Sequence, residues 1–178
     1  MSVRIYGNRE IKTLTGEATR PTSARVREAV FNIWQGRVLG CRWLDLCAGS
    51  GAMGAEALCR GAAEVVGIEK SGVACQVVKQ NWQTVAKAGQ KQHVIKGNVV
   101  RQIKRLNGKF DLIYFDPPYA ANLYQPVLAM LPELLAPTGE AAVEYGVGKW
   151  QPNQIPQDLE IAKEKRYGST HLLFLRLT

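Results

Sequence analysis

Apolar positions along the first forty residues change rhythm twice. Residues 1–21 are mostly polar and are punctuated by Gly7, Gly16 and Pro21, which predicts a short strand or hairpin arm. Val26, Ala29, Val30, Ile33 and Trp34 then recur at i, i+3, i+4, i+7 and i+8, one face of a helix. Thr22 and Ser23 offer its N-cap. Arg25, Arg27 and Glu28 fall on the other face. From Cys41 onward short apolar runs alternate with longer mixed segments. Strands are predicted at residues 43–47, 65–68, 93–96, 110–115 and 141–145. Helices are predicted at 52–60, 72–88, 99–106 and 123–135, the last interrupted near Pro132. Residues 159–163 and 171–177 read as a closing hairpin with its turn near Gly168 and Ser169. Regular β-α-β alternation implies a mostly parallel sheet covered on both faces. The closing pair has too short a connection for a parallel crossover, so the seven-stranded α/β sheet should end in an antiparallel strand. The chain divides into an N-terminal arm and helix, residues 1–40, and the α/β unit, residues 41–178.

Composition narrows the class. At 178 residues, one globular unit is the expectation. With 46% hydrophobic and 21% charged residues, the composition is neither disordered nor fibrous. No apolar run reaches the ~18 residues of a membrane span. The start, Met1 to Gly7, has no apolar signal core, which predicts a cytoplasmic protein. Cys41, Cys47, Cys59 and Cys75 form no CxxC pair, and the only histidines are His93 and His171. Reduced thiols and no metal site are therefore expected. No apolar seam is evident, which predicts a monomer.

Charge points to a partner. The net charge is +8. Residues 70–110 hold nine basic residues and no acid, and residues 1–42 hold eight basic and three acidic ones. Residues 43–69 and 111–178 are each net −3. Such asymmetry suggests a polyanion.

Two motifs carry the chemistry. The first predicted strand runs into Asp45-Leu46-Cys47-Ala48-Gly49-Ser50-Gly51-Ala52-Met53-Gly54. Gly49, Gly51 and Gly54 fit G-x-G-x-x-G between a strand and a helix, where glycine lets a ligand approach the backbone. Glu69 ends the second strand, placed to accept hydrogen bonds from both hydroxyls of a ribose. A nicotinamide dinucleotide fits these residues as well as S-adenosylmethionine does. Asp45 leans toward the latter, since a carboxylate in the cleft suits an ammonium and not a pyrophosphate. The second motif, Asp116-Pro117-Pro118-Tyr119, ends the fourth strand. Ligands of open α/β sheets bind beyond the carboxyl ends of the strands, so both motifs should meet at one crevice. The Asp116 carboxylate and the Pro117 carbonyl can each accept one N–H of a planar exocyclic amine. Tyr119 can stack on the base.

Together these motifs resemble a Rossmann-like class I S-adenosylmethionine-dependent methyltransferase. Arg20-Pro21-Thr22, Arg27 to Ile33, Asp45 to Gly61 and Asp116 to Tyr119 further resemble the bacterial 16S ribosomal RNA guanine-N2 methyltransferases. The resemblance implies a cofactor site of Asp45, Ala48, Gly49, Ser50, Gly51, Gly54, Glu69, Lys70, Asn98 and Val99. Asn98 stands where the family often has Asp, reaching the adenine amino group. The resemblance also implies that Asp116, Pro117, Pro118 and Tyr119 hold the target amine. Ribosomal RNA or the assembled small subunit is then the partner, with Arg4, Arg9, Lys12, Arg20, Thr22 and Arg25 toward it. The family arm carries a basic-Gly-basic turn after its Arg-Ile-x-Gly start. Here Arg4-Ile5-Tyr6-Gly7 is present, and Glu10-Ile11-Lys12 occupies the place of that later turn. The residues also leave open an adenine-N6 or cytosine-N4 methyltransferase on DNA or RNA, an NAD-dependent oxidoreductase, and a non-catalytic RNA-binding protein.

Overall fold

A computed structural model describes residues 1–14 and 22–178. Gly16, Arg20 and Pro21 lie outside the described residues. The arm is an antiparallel hairpin of β1 (Ser2–Ile5) and β2 (Arg9–Lys12). Its turn is Tyr6–Asn8, where Gly7 and Asn8 take φ of 73° and 58°. Glu10-Ile11-Lys12 is therefore strand and not the turn that the family resemblance implied. Ile11 is buried, and alternation along β2 turns Glu10 and Lys12 outward.

Helix α1 (Ala24–Ile33) follows, capped by Ser23, whose hydroxyl accepts the Val26 N–H at 3.2 Å. The α/β unit then runs β3 (Arg42–Leu46), α2 (Ala52–Cys59), β4 (Glu64–Glu69), α3 (Gly72–Val85), β5 (Lys91–Lys96), α4 (Val99–Ile103) and β6 (Phe110–Phe115). Helices α5 (Tyr124–Leu128) and α6 (Leu131–Leu134) lead into β7 (Leu135–Gly146), β8 (Leu159–Tyr167) and β9 (Thr170–Leu177). The sheet order is β5-β4-β3-β6-β7-β9-β8, with β9 antiparallel to both neighbours. The expected break near Pro132 falls at residues 129–130, so the segment is two short helices. Strand β7 starts six residues earlier than its apolar run suggests. Pro137 and Gly139 hide its first half, which pairs with β6 only through a register shift.

Alternation along β3 sorts the core. Trp43 packs with α1, α2, α3 and the arm, while Leu44 and Leu46 pack with α4, α5 and α6. The sheet thus lies between two helical layers. Helix periodicity puts Arg27 on the polar side of α1, yet the structure buries it. Its Nε donates to Glu56 of α2 at 2.5 Å and its Nη2 to the Arg4 carbonyl at 2.6 Å. Glu56 also holds Arg60 at 2.9 Å. The arm covers the flank of α1 that carries Arg27, while Arg25 and Glu28 stay exposed, so the buried charge needed a partner.

Helix α3 locks the glycine-rich segment from behind. Trp82 is fully buried, and its indole N–H donates to the Gly51 carbonyl at 2.8 Å. A Cβ added at Gly54 would overlap the indole ring, and one at Gly67 would come within 2.5 Å of it. Gly54→Ala is expected to cost about 1–3 kcal/mol through overpacking, lowering Tm by roughly 2–12 °C for a chain of this size. That cost should largely vanish when the same change is made in a Trp82→Leu background, which a thermal-denaturation double-mutant cycle checks.

Candidate active site

The crevice forms where β3, β4 and β6 end. Past Leu46 the chain alternates into the left-handed region, with φ of 63° at Cys47, 59° at Gly49 and 75° at Gly51. The turn is held by the Ala48 N–H on the Ile68 carbonyl at 3.0 Å and the Gly51 N–H on the Ala48 carbonyl at 2.7 Å. Sequence reasoning gave all three glycines to ligand approach. The structure divides their work. A Cβ on Gly49 would meet nothing within 4 Å, whereas one on Gly51 would strike Trp82 and Val78. Only Gly49 opens toward a ligand; Gly51 and Gly54 make room for Trp82.

Glu69 sits at the lip of this turn. One carboxylate oxygen accepts the Gly49 N–H and the other the Ser71 N–H, both at 2.8 Å. Each oxygen keeps a second lone pair, so the carboxylate is aimed without being used up. Asp45 lies deeper than expected. It is 2% exposed and accepts the Gly54 N–H at 3.2 Å. Lys70 is exposed beside Glu69. Asn98 is the N-cap of α4, and its amide oxygen, expected to face an adenine, accepts the Arg101 N–H at 3.2 Å. Val99 is buried in the core with α5 and α6. Ser50 is half-buried, and its carbonyl accepts the Asn81 amide at 2.9 Å.

Strand β6 delivers the second motif. Asp116 is half-buried, Pro117 buried and Pro118 exposed. Residues Tyr119–Ala121 make one tight turn, ended by Asn122 at φ 47°. Tyr119 is 36% exposed. Its ring lies over Gly146, where a Cβ would sit 3.0 Å from it. The crevice is acidic: burial first, then Glu69, Asp116 and Asp45, push the Cys47 thiol up. The Glu69 and Asp116 carboxylates facing one thiol fit a cationic ligand better than an anionic pyrophosphate. The open face at Gly49, the aimed Glu69 and the negative field together fit the sulfonium nucleoside that the sequence suggests.

Several residues at the site escaped sequence reasoning. Tyr114 donates its buried hydroxyl to the Glu144 carboxylate, and Tyr124 donates to the Glu144 carbonyl at 3.0 Å. Burial, then Glu144 and Asp116, raise the Tyr114 pKa, and Thr22 beside the hydroxyl lowers it. Asn81 holds both backbone groups of Lys12, accepting the N–H at 2.9 Å and donating to the carbonyl at 2.8 Å. No local motif marks these side chains, because their partners lie in other elements.

The suggested RNA-facing residues are split. Arg4 is exposed, 3.5 Å from Glu10. Arg9 donates to the Val85 carbonyl at 3.1 Å, so it staples the arm to α3. Lys12 donates to Gln80 at 3.3 Å. Arg25 lies elsewhere, exposed, with its guanidinium 5.7 Å from the Tyr167 ring centre.

Comparison with known proteins adds to this geometry. A family described as conserved hypothetical protein 95 matches residues 3–176. A Haemophilus influenzae protein, ribosomal RNA small subunit methyltransferase D, is 30% identical, over 92% of this chain and 86% of its own. The Escherichia coli K12 protein of the same name is 30% identical, over 93% of this chain and 85% of its own. A solved Escherichia coli structure described as "Putative methyltransferase yhhF" superposes with a TM-score of 0.86 at 27% identity, covering 99% of this chain and 98% of that one.

Burial holds the Asp45 carboxyl well above its usual value of 3.8; the Gly54 N–H lowers it and Glu69 raises it further. A folded value above the unfolded one stabilises at pH below the unfolded value, and that stability is lost as pH rises through the folded value. Asp45→Asn removes this titration and keeps an acceptor for Gly54. The variant is expected to be at least as stable as the wild type at pH 7, with a flatter stability profile above pH 4. Urea denaturation across that range checks this.

Proposed function

The chain belongs to the conserved hypothetical protein 95 family, and on that footing we propose that it methylates the N2 amine of a guanine in small-subunit ribosomal RNA, using S-adenosylmethionine. The observation that carries the reading is the meeting of an open glycine turn, an acidic crevice and Asp116-Pro117-Pro118-Tyr119 at adjacent strand ends. The relatives named as small-subunit ribosomal RNA methyltransferases support the class of substrate. An oxidoreductase reading leaves the second motif without work and sets a pyrophosphate against the Glu69 and Asp116 carboxylates.

When bound, S-adenosylmethionine supplies a methyl group made electrophilic by its sulfonium. Glu69, fixed by two backbone N–H groups, takes the ribose hydroxyls with its remaining lone pairs. The target guanine must leave its stack to reach the crevice. Tyr119 stacks on the freed base, worth about 1–3 kcal/mol. The Asp116 carboxylate and the Pro117 carbonyl accept the two N–H bonds of the amine. The amine lone pair is otherwise delocalised into the ring, and this grip turns it toward the methyl group. As the new N–C bond forms and the S–C bond breaks, the nitrogen becomes cationic and acidic. Asp116 takes its proton. Such alignment can supply roughly 7–11 kcal/mol of the barrier, so no stronger base is needed.

The test is transfer of labelled methyl into unmodified small ribosomal subunits, protein-free small-subunit RNA and duplex DNA. Label is expected in ribosomal RNA as N2-methylguanosine. Asp116→Ala is expected to cut turnover by about 100-fold or more while S-adenosylmethionine binding, read by calorimetry, stays within a few-fold. Label on adenine, or only in DNA, would sink the substrate assignment.

A further inference from the structure

We propose that the groove between α1 and β8 is a track for the RNA strand beside the target base; this rests on the reading above. The groove encloses about 500 Å³ and is lined by Arg25, Glu28 and Ile33 from α1 and by Lys163, Lys165 and Tyr167 from β8.

A bulge aims the lysines. Ile161 pairs with Leu175, which faces the α4–α6 layer, but after a register shift Lys163 pairs with Phe174, which faces the α1 layer. Bulges re-aim side chains in this way. Lys163, Lys165 and Tyr167 thereby share the face toward α1. The acids of the same strand are engaged: Glu160 holds Arg176 at 2.6 Å, and Glu164 accepts from Tyr145 at 2.8 Å. Elsewhere on the surface Arg37 and Arg42 have carboxylate partners. Arg25, Lys163 and Lys165 have none among the described residues. Exposed cations without a carboxylate partner on one face are open to a phosphate backbone.

The groove also leads to the crevice. Strand β8 runs in the direction of β7, so Tyr167 lies at the carboxyl edge of the sheet. Tyr167 pairs with Thr170, Thr170 pairs with Gly146, and Gly146 lies under the Tyr119 ring. Two strand spacings, roughly 10 Å, separate Tyr167 from Gly146. A base on Tyr119 therefore puts its flanking backbone within reach of Arg25 and the two lysines. Tyr167, with Arg25 over its ring, offers a second stacking surface for a neighbouring base. The arm cations Arg4 and Lys12 are on a different part of the same layer, against α2 and α3. RNA gripped at both places would be held on either side of α1.

The test compares wild type, Lys163→Ala/Lys165→Ala, and a control of equal charge loss on the opposite layer, Lys104→Ala/Arg105→Ala. Each binds protein-free small-subunit ribosomal RNA at several salt concentrations, and methyl transfer is read in parallel. The groove variant is expected to bind about tenfold more weakly at low salt. Its slope of log affinity against log salt should be shallower by about 1.4, since each lost single-strand phosphate contact removes roughly 0.7. KM for RNA rises and kcat holds. The control keeps the wild-type slope and affinity. Wild-type slope and affinity in the groove variant, or an equal fall in the control, overturns the track. Wild-type protein that methylates neither this RNA nor unmodified small subunits overturns the functional reading itself, and the track with it.

Discussion

Everything at the crevice depends on one indole. Trp82 fills the space vacated by the missing side chains of Gly54 and Gly67, and its N–H fixes the Gly51 carbonyl. An aromatic ring of this size can contribute several kcal/mol by burial, and here that burial presses α3 against the segment that carries the left-handed turn. The turn needs such support, because Cys47 is held in a conformation that costs a residue with a Cβ about 1–3 kcal/mol. The neighbouring Asn81 extends the same anchorage outward. Its amide ties Lys12 of the arm to Ser50 of the turn. One helix thus sets the glycine-rich turn and the arm against each other.

Buried charge organises the second half of the assembly. Arg27 and Glu56 are 4% and 3% exposed at their side chains. Breaking such a pair typically costs 3–5 kcal/mol, although burying it gains little over an apolar contact. Its use here is geometric. The guanidinium fork bonds α2 with one edge and the Arg4 carbonyl with another. Helix α1, helix α2 and the arm are fixed in one arrangement, where apolar contacts alone would allow sliding.

The field of the molecule is divided in the same spirit. Acids converge inside the crevice, where Asp45, Glu69 and Asp116 all act on Cys47. Cations are left on the outer faces, on the arm and along β8. This division suits the proposed ligands, a cationic methyl donor in the first region and an RNA phosphate backbone at the second.

Regular alternation, the two motifs and the acid after the second strand were legible in the amino-acid sequence, as was the antiparallel end of the sheet. These features are local: periodicity of two or 3.6 residues, or glycine and proline at fixed offsets. The turns and strand ends they mark bring Gly49, Glu69 and Asp116 to one edge, because parallel strands all end there. Burial of Arg27, the lock of Trp82 into Gly54 and Gly67, and the capping work of Asn98 were decided only by tertiary structure. So was the course of β2, because Ile11 found an apolar surface on the first helical layer. The same holds for the separation of Arg25 from the arm and for the bulge that turns Lys163 and Lys165 toward α1. In each case the partner is distant in the chain. A side chain's role then follows from what the fold packs against it, which no window of neighbouring residues contains.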